Sequence, residues 1–147
     1  MSDASTYTEN RTLDFWLKAN SLTTTAPATV YLALFVGSAD SAGQAANTAA
    51  NLEEGVLTDE VSTSGTAYAR QTVAFGTITD GSVATSGTVT FPTATADFGT
   101  VSHVAIMDGA TAGAGNVIFY GDLTSAKTIE SGDTFQITAG SLTITLA

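Results

Sequence analysis

Apolar positions change period once along the chain. Between residues 10 and 21 they follow helical spacing: Leu13, Phe15, Trp16 and Leu17 gather on one broad side, and Asp14 precedes Lys18 by four as a supportive opposite-charge pair. Asn10 or Thr12 would cap this helix, and the stretch 23–27 would stop it. A helix this short is marginal in isolation and must dock. Phe15 and Trp16 are its expected anchors, against the chain's own domain first and a neighbouring subunit as the alternative.

Beyond Pro27 the period shortens to that of strands. Val30–Val36 is apolar on both faces, as in a central, doubly covered strand. Residues 37–54, rich in Gly, Ala, Asn and Ser, read as a long surface loop. Residues 68–75 form a strand with Ala69, Gln71, Val73 and Phe75 on one face and Tyr68, Arg70 and Thr72 on the other. Asp80-Gly81 supplies the two positive φ angles of a type I′ turn, which predicts a hairpin between 77–79 and 82–84. Residues 83–91 alternate until Pro92. Strands follow at 101–107 and 116–123, separated by a flexible Gly-rich loop at 109–115, and Ser131-Gly132-Asp133 reads as a tight turn. Phe135 and Ile137 lie on one parity, Leu142, Ile144 and Leu146 on the other, so a turn or bulge is expected near Ala139-Gly140. Many short strands with Gly-rich turns predict an all-β fold, an antiparallel β-sandwich of jelly-roll or Ig-like type with one short N-terminal helix. We divide the chain into an N-terminal arm and helix, 1–22, and a β-sandwich, 23–147, within one compact unit.

Composition agrees with that pattern and narrows the function. Of 147 residues only 12% are charged and 44% are hydrophobic. The net charge is −10, with Arg11, Lys18, Arg70 and Lys127 as the cations. Nucleic-acid binding needs clustered Lys and Arg to replace phosphate counterions, and an anionic surface is repelled by anionic lipid, so neither nucleic acid nor membrane is an expected partner. Cysteine is absent, which removes disulfides and thiolate chemistry. No apolar run reaches spanning length, and the N-terminus lacks the basic start and apolar segment of a secretory signal, which fits a protein made and used from the cytoplasm.

Chemistry is sparse. His103 is the one histidine, lacks an adjoining nucleophile motif, and shares strand parity with Val101, Ala105 and Met107, which reads as a packed or hydrogen-bonded structural histidine. It also leaves zinc without an ordinary ligand set. Glu53, Glu54, Asp59 and Glu60 form the densest acidic cluster. A solvated acidic patch is the first reading, Ca²⁺ binding the second and paired-carboxylate catalysis the third, because the spacing departs from a calcium-loop pattern. The 109–115 loop lacks the Gly-Lys-Ser/Thr ending of a phosphate loop and leads into a strand. No cofactor and no enzymatic activity are expected.

Several blocks resemble a family of small tailed-phage virion proteins: Ala28-Thr29-Val30-Tyr31-Leu32-Ala33-Leu34-Phe35, Ala67-Tyr68-Ala69-Arg70-Gln71, and Thr90-Phe91-Pro92-Thr93-Ala94-Thr95-Ala96-Asp97-Phe98-Gly99. Gly121-Asp122-Leu123-Thr124-Ser125-Ala126-Lys127-Thr128-Ile129 and the stretch from Gly132-Asp133-Thr134-Phe135 to Leu146 extend the resemblance over nearly the whole chain. Phe98 stands where Trp is common in that family. Members carry tail-fibre or head-decoration labels, and the resemblance brings no catalytic residues. It implies a virion protein assembled in the host cytoplasm. The lead expectation is a decoration (cement) protein on the outer head surface, bound to the major capsid protein and self-associated as a homo-oligomer. The alternative is a tail-fibre or receptor-binding component, with tail proteins or a host surface glycan as partners. The absence of Trp and Tyr from 37–54 and 109–115 favours the head. Tyr7, Phe15 and Trp16 are the candidate interface residues, since aromatic anchors dominate interface energetics.

Overall fold

The computed structural model describes residues 3–18, 26–37 and 47–146. Its centre is the strand that reads as apolar throughout, Val30–Val36 (β2). Leu32, Ala33, Leu34 and Phe35 are fully buried in succession, so both of its faces are covered. β2 lies between Gln71–Val73 (β3) and Gly99–Met107 (β6), and Val117–Ile129 (β7) and Asp3–Ala4 (β1) complete a five-stranded antiparallel sheet in the order β1-β7-β6-β2-β3.

On one face Leu32, Leu34, Val104 and Ile106 join the larger core. A second layer closes it, built from two narrow antiparallel ribbons. Ser82–Ala84 (β4) pairs with Thr143–Thr145 (β9), and Val89–Thr90 (β5) with Gln136–Ile137 (β8). Val89, Phe91, Ile137 and Ile144 point inward from this layer, where Tyr68 stacks beside Phe91 and meets Phe98 edge-on. The Phe98 position is therefore an aromatic core site. The expected antiparallel sandwich is present, with its second sheet split into ribbons.

The opposite face carries Ala33, Phe35, Ala105, Met107, Val117 and Tyr120, and Leu52 packs onto them. Leu52 belongs to a helix, Asn47–Glu54 (α2), inside the segment read as loop. That reading needs correcting. The sequence Asn47-Thr48-Ala49-Ala50-Asn51-Leu52-Glu53-Glu54 is short but propensity-compatible, and Gly55 at φ +77 ends it. The Val56 amide reaches back to the Asn51 carbonyl at 2.7 Å, the reach of a Schellman close. Burying Leu52 contributes roughly 1.5–3 kcal/mol, enough to hold a helix too short to stand alone. The rest of the expected loop, 38–46, lies outside the described residues.

The turn chemistry behaves as read. Asp80 and Gly81 have φ +50 and +73, and Thr79 and Ser82 exchange amide-to-carbonyl bonds of 2.9 Å in both directions. Gly81 is required here, because a Cβ would lie 2.9 Å from the Leu146 carbonyl oxygen. The parity change near Ala139-Gly140 is a turn in which Ser141 donates to Thr138, and it lets Ile137 and Ile144 both face the core. The expected strand 68–75 is regular only over 71–73.

One long strand is irregular. Between the pairs Val101↔Lys127 and His103↔Asp122, β6 advances two residues while β7 advances five. Residues 123–126 bow outward opposite Ser102. Against β2 the pairs Phe35↔His103 and Val36↔Val101 leave Ser102 as one extra residue of β6, and that bulge moves Val101 into the larger core, whereas Ala105 and Met107 lie in the smaller one. The expected common face for Val101 and those two residues is corrected accordingly.

Candidate functional site: an exposed aromatic helix and a buried ion pair

The N-terminal helix runs Thr6–Leu17 (α1), earlier than the expected 10–21, because Ser5 is the cap in place of Asn10 or Thr12. Ser5 has extended backbone, is fully buried, and its hydroxyl donates to the Val117 carbonyl while accepting from the Thr8 amide. The Ser5 amide and the Thr8 hydroxyl both donate to the Ile118 carbonyl, at 3.2 and 2.8 Å. The first turn is thereby stitched to β7 by polar groups. No side chain of α1 is buried.

Its apolar residues remain in solvent. Trp16 is 74% exposed, Leu17 75%, and Leu13 and Phe15 about half. They do not share one face. Leu13, Trp16 and Leu17, at i, i+3 and i+4, form an outward ridge. Phe15 instead lines a groove of about 500 Å³ with Tyr7, Arg11, Trp16, Pro27 and Ile118. The Phe15 and Trp16 rings meet edge-on at 5.1 Å, and the Arg11 guanidinium lies 5.2 Å from the centre of the Tyr7 ring. Lys18 closes on Asp14 at 2.8 Å, the expected pair, and that contact raises the ammonium pKa. Tyr7, Phe15 and Trp16 thus lie on one helix beside one groove.

The acidic cluster separates. Glu53 and Glu54 are exposed on α2. Asp59 accepts from the Thr48 hydroxyl and the Asn51 amide at 3.2 and 3.1 Å, bracing α2. Glu60 is not solvated, contrary to the first reading. Its side chain is 3% exposed and that of Arg70 fully buried, and the two form a fork, Nε to Oε1 at 2.7 Å and Nη2 to Oε2 at 2.8 Å. The Tyr68 hydroxyl donates to Glu60 at 3.0 Å and accepts from the Leu34 amide. Burial raises the Tyr68 phenol pKa, and the Glu60 carboxylate raises it further. Among the described residues no group of three or more acids or histidines is placed to hold a metal ion.

The same pair fixes the Gly-rich loop. Arg70 Nη1 donates to the Gly109 and Ala114 carbonyls at 2.8 and 2.9 Å, and the Gly113 amide donates to Glu60 at 2.7 Å. Asp108 clasps the Asn116 amide and side chain across its neck. The loop expected to be flexible is tied to the core. Residue type gave one usable signal, an arginine at a strand position where a side chain must face inward or outward. The Glu60 partner, ten residues away across a non-repetitive segment, had no sequence pattern of its own.

His103 is half-buried and bonded to the Ser102 hydroxyl at 2.8 Å, as a structural histidine would be. Burial lowers its pKa, with Asp122 and Asp59 opposing.

These features describe a β-rich chain in which α1, a helix of mixed polarity, holds large apolar side chains in solvent beside a hydrogen-bonded, well-packed body. The chain belongs to the family described as podophage GP4 fiber I protein gp80, whose model matches residues 3–145. It is a phage fibre-family protein and a structural component of the virion. No curated protein matches it.

Proposed function

We propose that the chain is a building unit of the phage tail fibre and acts by protein–protein contact through α1, without catalysis. The observation that carries this reading is the ridge and groove of α1, where a helix of mixed polarity leaves Trp16 and Leu17 three-quarters exposed while its first turn is anchored. Large apolar side chains left outside a core that is otherwise well filled mark an interaction surface. The family description supports the fibre over the head surface. Tail proteins or further copies of this chain are the partners, and Tyr7, Phe15 and Trp16 the contact residues.

The test is location. Gold-labelled antibody fragments raised against the folded chain should decorate the tail fibres of intact particles in electron micrographs. Label distributed over the head would instead establish the decoration role and overturn the fibre reading.

A further inference from the structure

On the α2 side of the main sheet a polar group is left over. Tyr120 packs its ring in the smaller core and is only 8% exposed, while its hydroxyl reaches the surface and has no hydrogen-bond partner among the described residues. Three exposed carboxylates from three elements gather about it. Asp3 lies directly across the β1–β7 pair from Tyr120, so the two side chains share a face. Glu9 comes from the first turn of α1 and Glu53 from the last turn of α2, two helices that pack on each other and on β7. Burial raises the Tyr120 phenol pKa, and Glu53, Asp3 and Glu9 raise it further.

None of these carboxylates is compensated within the chain. The ion pairs of the described residues lie elsewhere, Lys18 with Asp14 and Arg70 with Glu60. Arg11 lies against the Tyr7 ring, and Lys127 stands seven residues beyond Tyr120, roughly 20 Å along β7. Glu53 is also unfavourably placed, because a carboxylate in the last turn meets the negative end of the helix dipole and no basic residue there offsets it. Repulsion kept at a cost in stability points to a positive charge supplied from outside.

The form of that charge is constrained. Among the described residues no three acids are placed to hold a metal ion, which leaves a cation carried on a longer arm. Carboxylates and a phenol oxygen accept from the N–H donors of lysine or arginine. Glu9 precedes Leu13 by four on α1, so a partner that covers Leu13, Trp16 and Leu17 also passes over the cluster. That continuity selects a protein side chain over a free amine. A second copy is disfavoured as its source, because −10 meets −10 and three of the four cations are already paired, stacked or buried.

We infer that Asp3, Glu9, Glu53 and the Tyr120 hydroxyl receive a lysine or arginine side chain of a basic partner protein other than this chain. The inference rests on α1 as the contact surface and adds the charge of what α1 meets.

The probe is an acetylated, amidated hexalysine peptide, titrated at physiological salt into the full chain with isotope-labelled tyrosines. The Tyr120 resonance, assigned by its loss in Tyr120→Phe, should move ahead of those of Tyr7, Tyr31 and Tyr68. Asp3→Asn/Glu9→Gln/Glu53→Gln should weaken binding at least ten-fold. Asp80→Asn/Asp97→Asn/Glu130→Gln removes as many charges elsewhere and should weaken it less than three-fold. Equal weakening by both would mean attraction to net charge alone and overturn the proposal. Glu53→Gln by itself should raise the melting temperature by about 1–4 °C, since it relieves the dipole repulsion. A fall of that size would make the carboxylate a structural partner and likewise overturn it. Self-association in sedimentation that Lys127→Gln abolishes would make a second copy the occupant and remove the basic partner. Failure of the peptide tests together with gold label on the fibres would remove this contact and leave the fibre reading intact.

Discussion

Two regions invert the usual rule of apolar inside and charged outside, in opposite directions. Around Glu60 and Arg70 a full ion pair lies in the core, with Tyr68 and three backbone groups of the 109–115 loop completing its hydrogen bonds. On α1 a tryptophan, a phenylalanine and two leucines lie in solvent. Among the described residues no buried side-chain donor or acceptor lacks a partner, so the buried charges are finished business within the chain. The exposed apolars have no such closure. A group satisfied internally specifies the fold, and a group left unsatisfied externally points to what the fold meets.

The sharpest way to break that contrast is from the inside. Arg70→Ala leaves Glu60 buried without its counter-charge and frees the Gly-rich loop, and should cost about 3–5 kcal/mol in urea or thermal unfolding. Replacing both partners, Arg70→Met with Glu60→Leu, should recover much of that loss, because desolvation of the pair is removed along with the attraction. A loss for Arg70→Ala below about 1 kcal/mol would mean that the pair is not sealed from water.

At the boundary between the regions, Ser5→Ala removes the α1 cap and its bond to Val117. Stability should fall by about 1–2 kcal/mol, with a loss of helical far-ultraviolet signal that leaves the β signal in place.

His103 adds a smaller, pH-dependent effect. Its folded pKa is lowered by burial, so the unfolded chain binds the proton more readily. Its contribution is complete above the ordinary histidine pKa, near 6.5, and declines as pH falls from there through the lower folded value. His103→Gln should flatten that part of the stability-against-pH curve.

The smallest change in stability is expected on α1. Trp16→Ala should shift unfolding by no more than about 0.5 kcal/mol, since the ring is mostly in solvent, while abolishing incorporation into fibres.

Legibility in the sequence divides along the same line. Local signals were readable: the Asp80-Gly81 hairpin, the parity break at Ala139-Gly140, the doubly apolar β2, and an N-terminal helix with aromatics. Local capping signals place the start of α1 too late, because Ser5 acts through a bond to Val117, a residue more than a hundred positions away, and only tertiary contact makes it the stronger cap. Helix α2 hides in small polar residues, although Leu52 followed by Glu53-Glu54-Gly55 carries a helix-ending pattern. The buried fork needed Glu60 and Arg70 to meet from either side of an irregular segment in which Ala67 takes φ +62, a conformation no propensity scale favours for alanine. The aromatics of α1 were legible as residues. Their exposure was not, because helical periodicity reports a face and not what covers it.

Trp16 is the chain's one tryptophan and stands on the surface in question, which makes its fluorescence the most direct measurement. In the isolated subunit its emission should be that of a hydrated indole, readily quenched by acrylamide. In assembled fibres the emission should shift to the blue and the quencher should lose access to the ring. Emission and quenching unchanged by assembly would contradict a contact role for α1, leaving the helix as an ornament of the fold and the contact surface elsewhere.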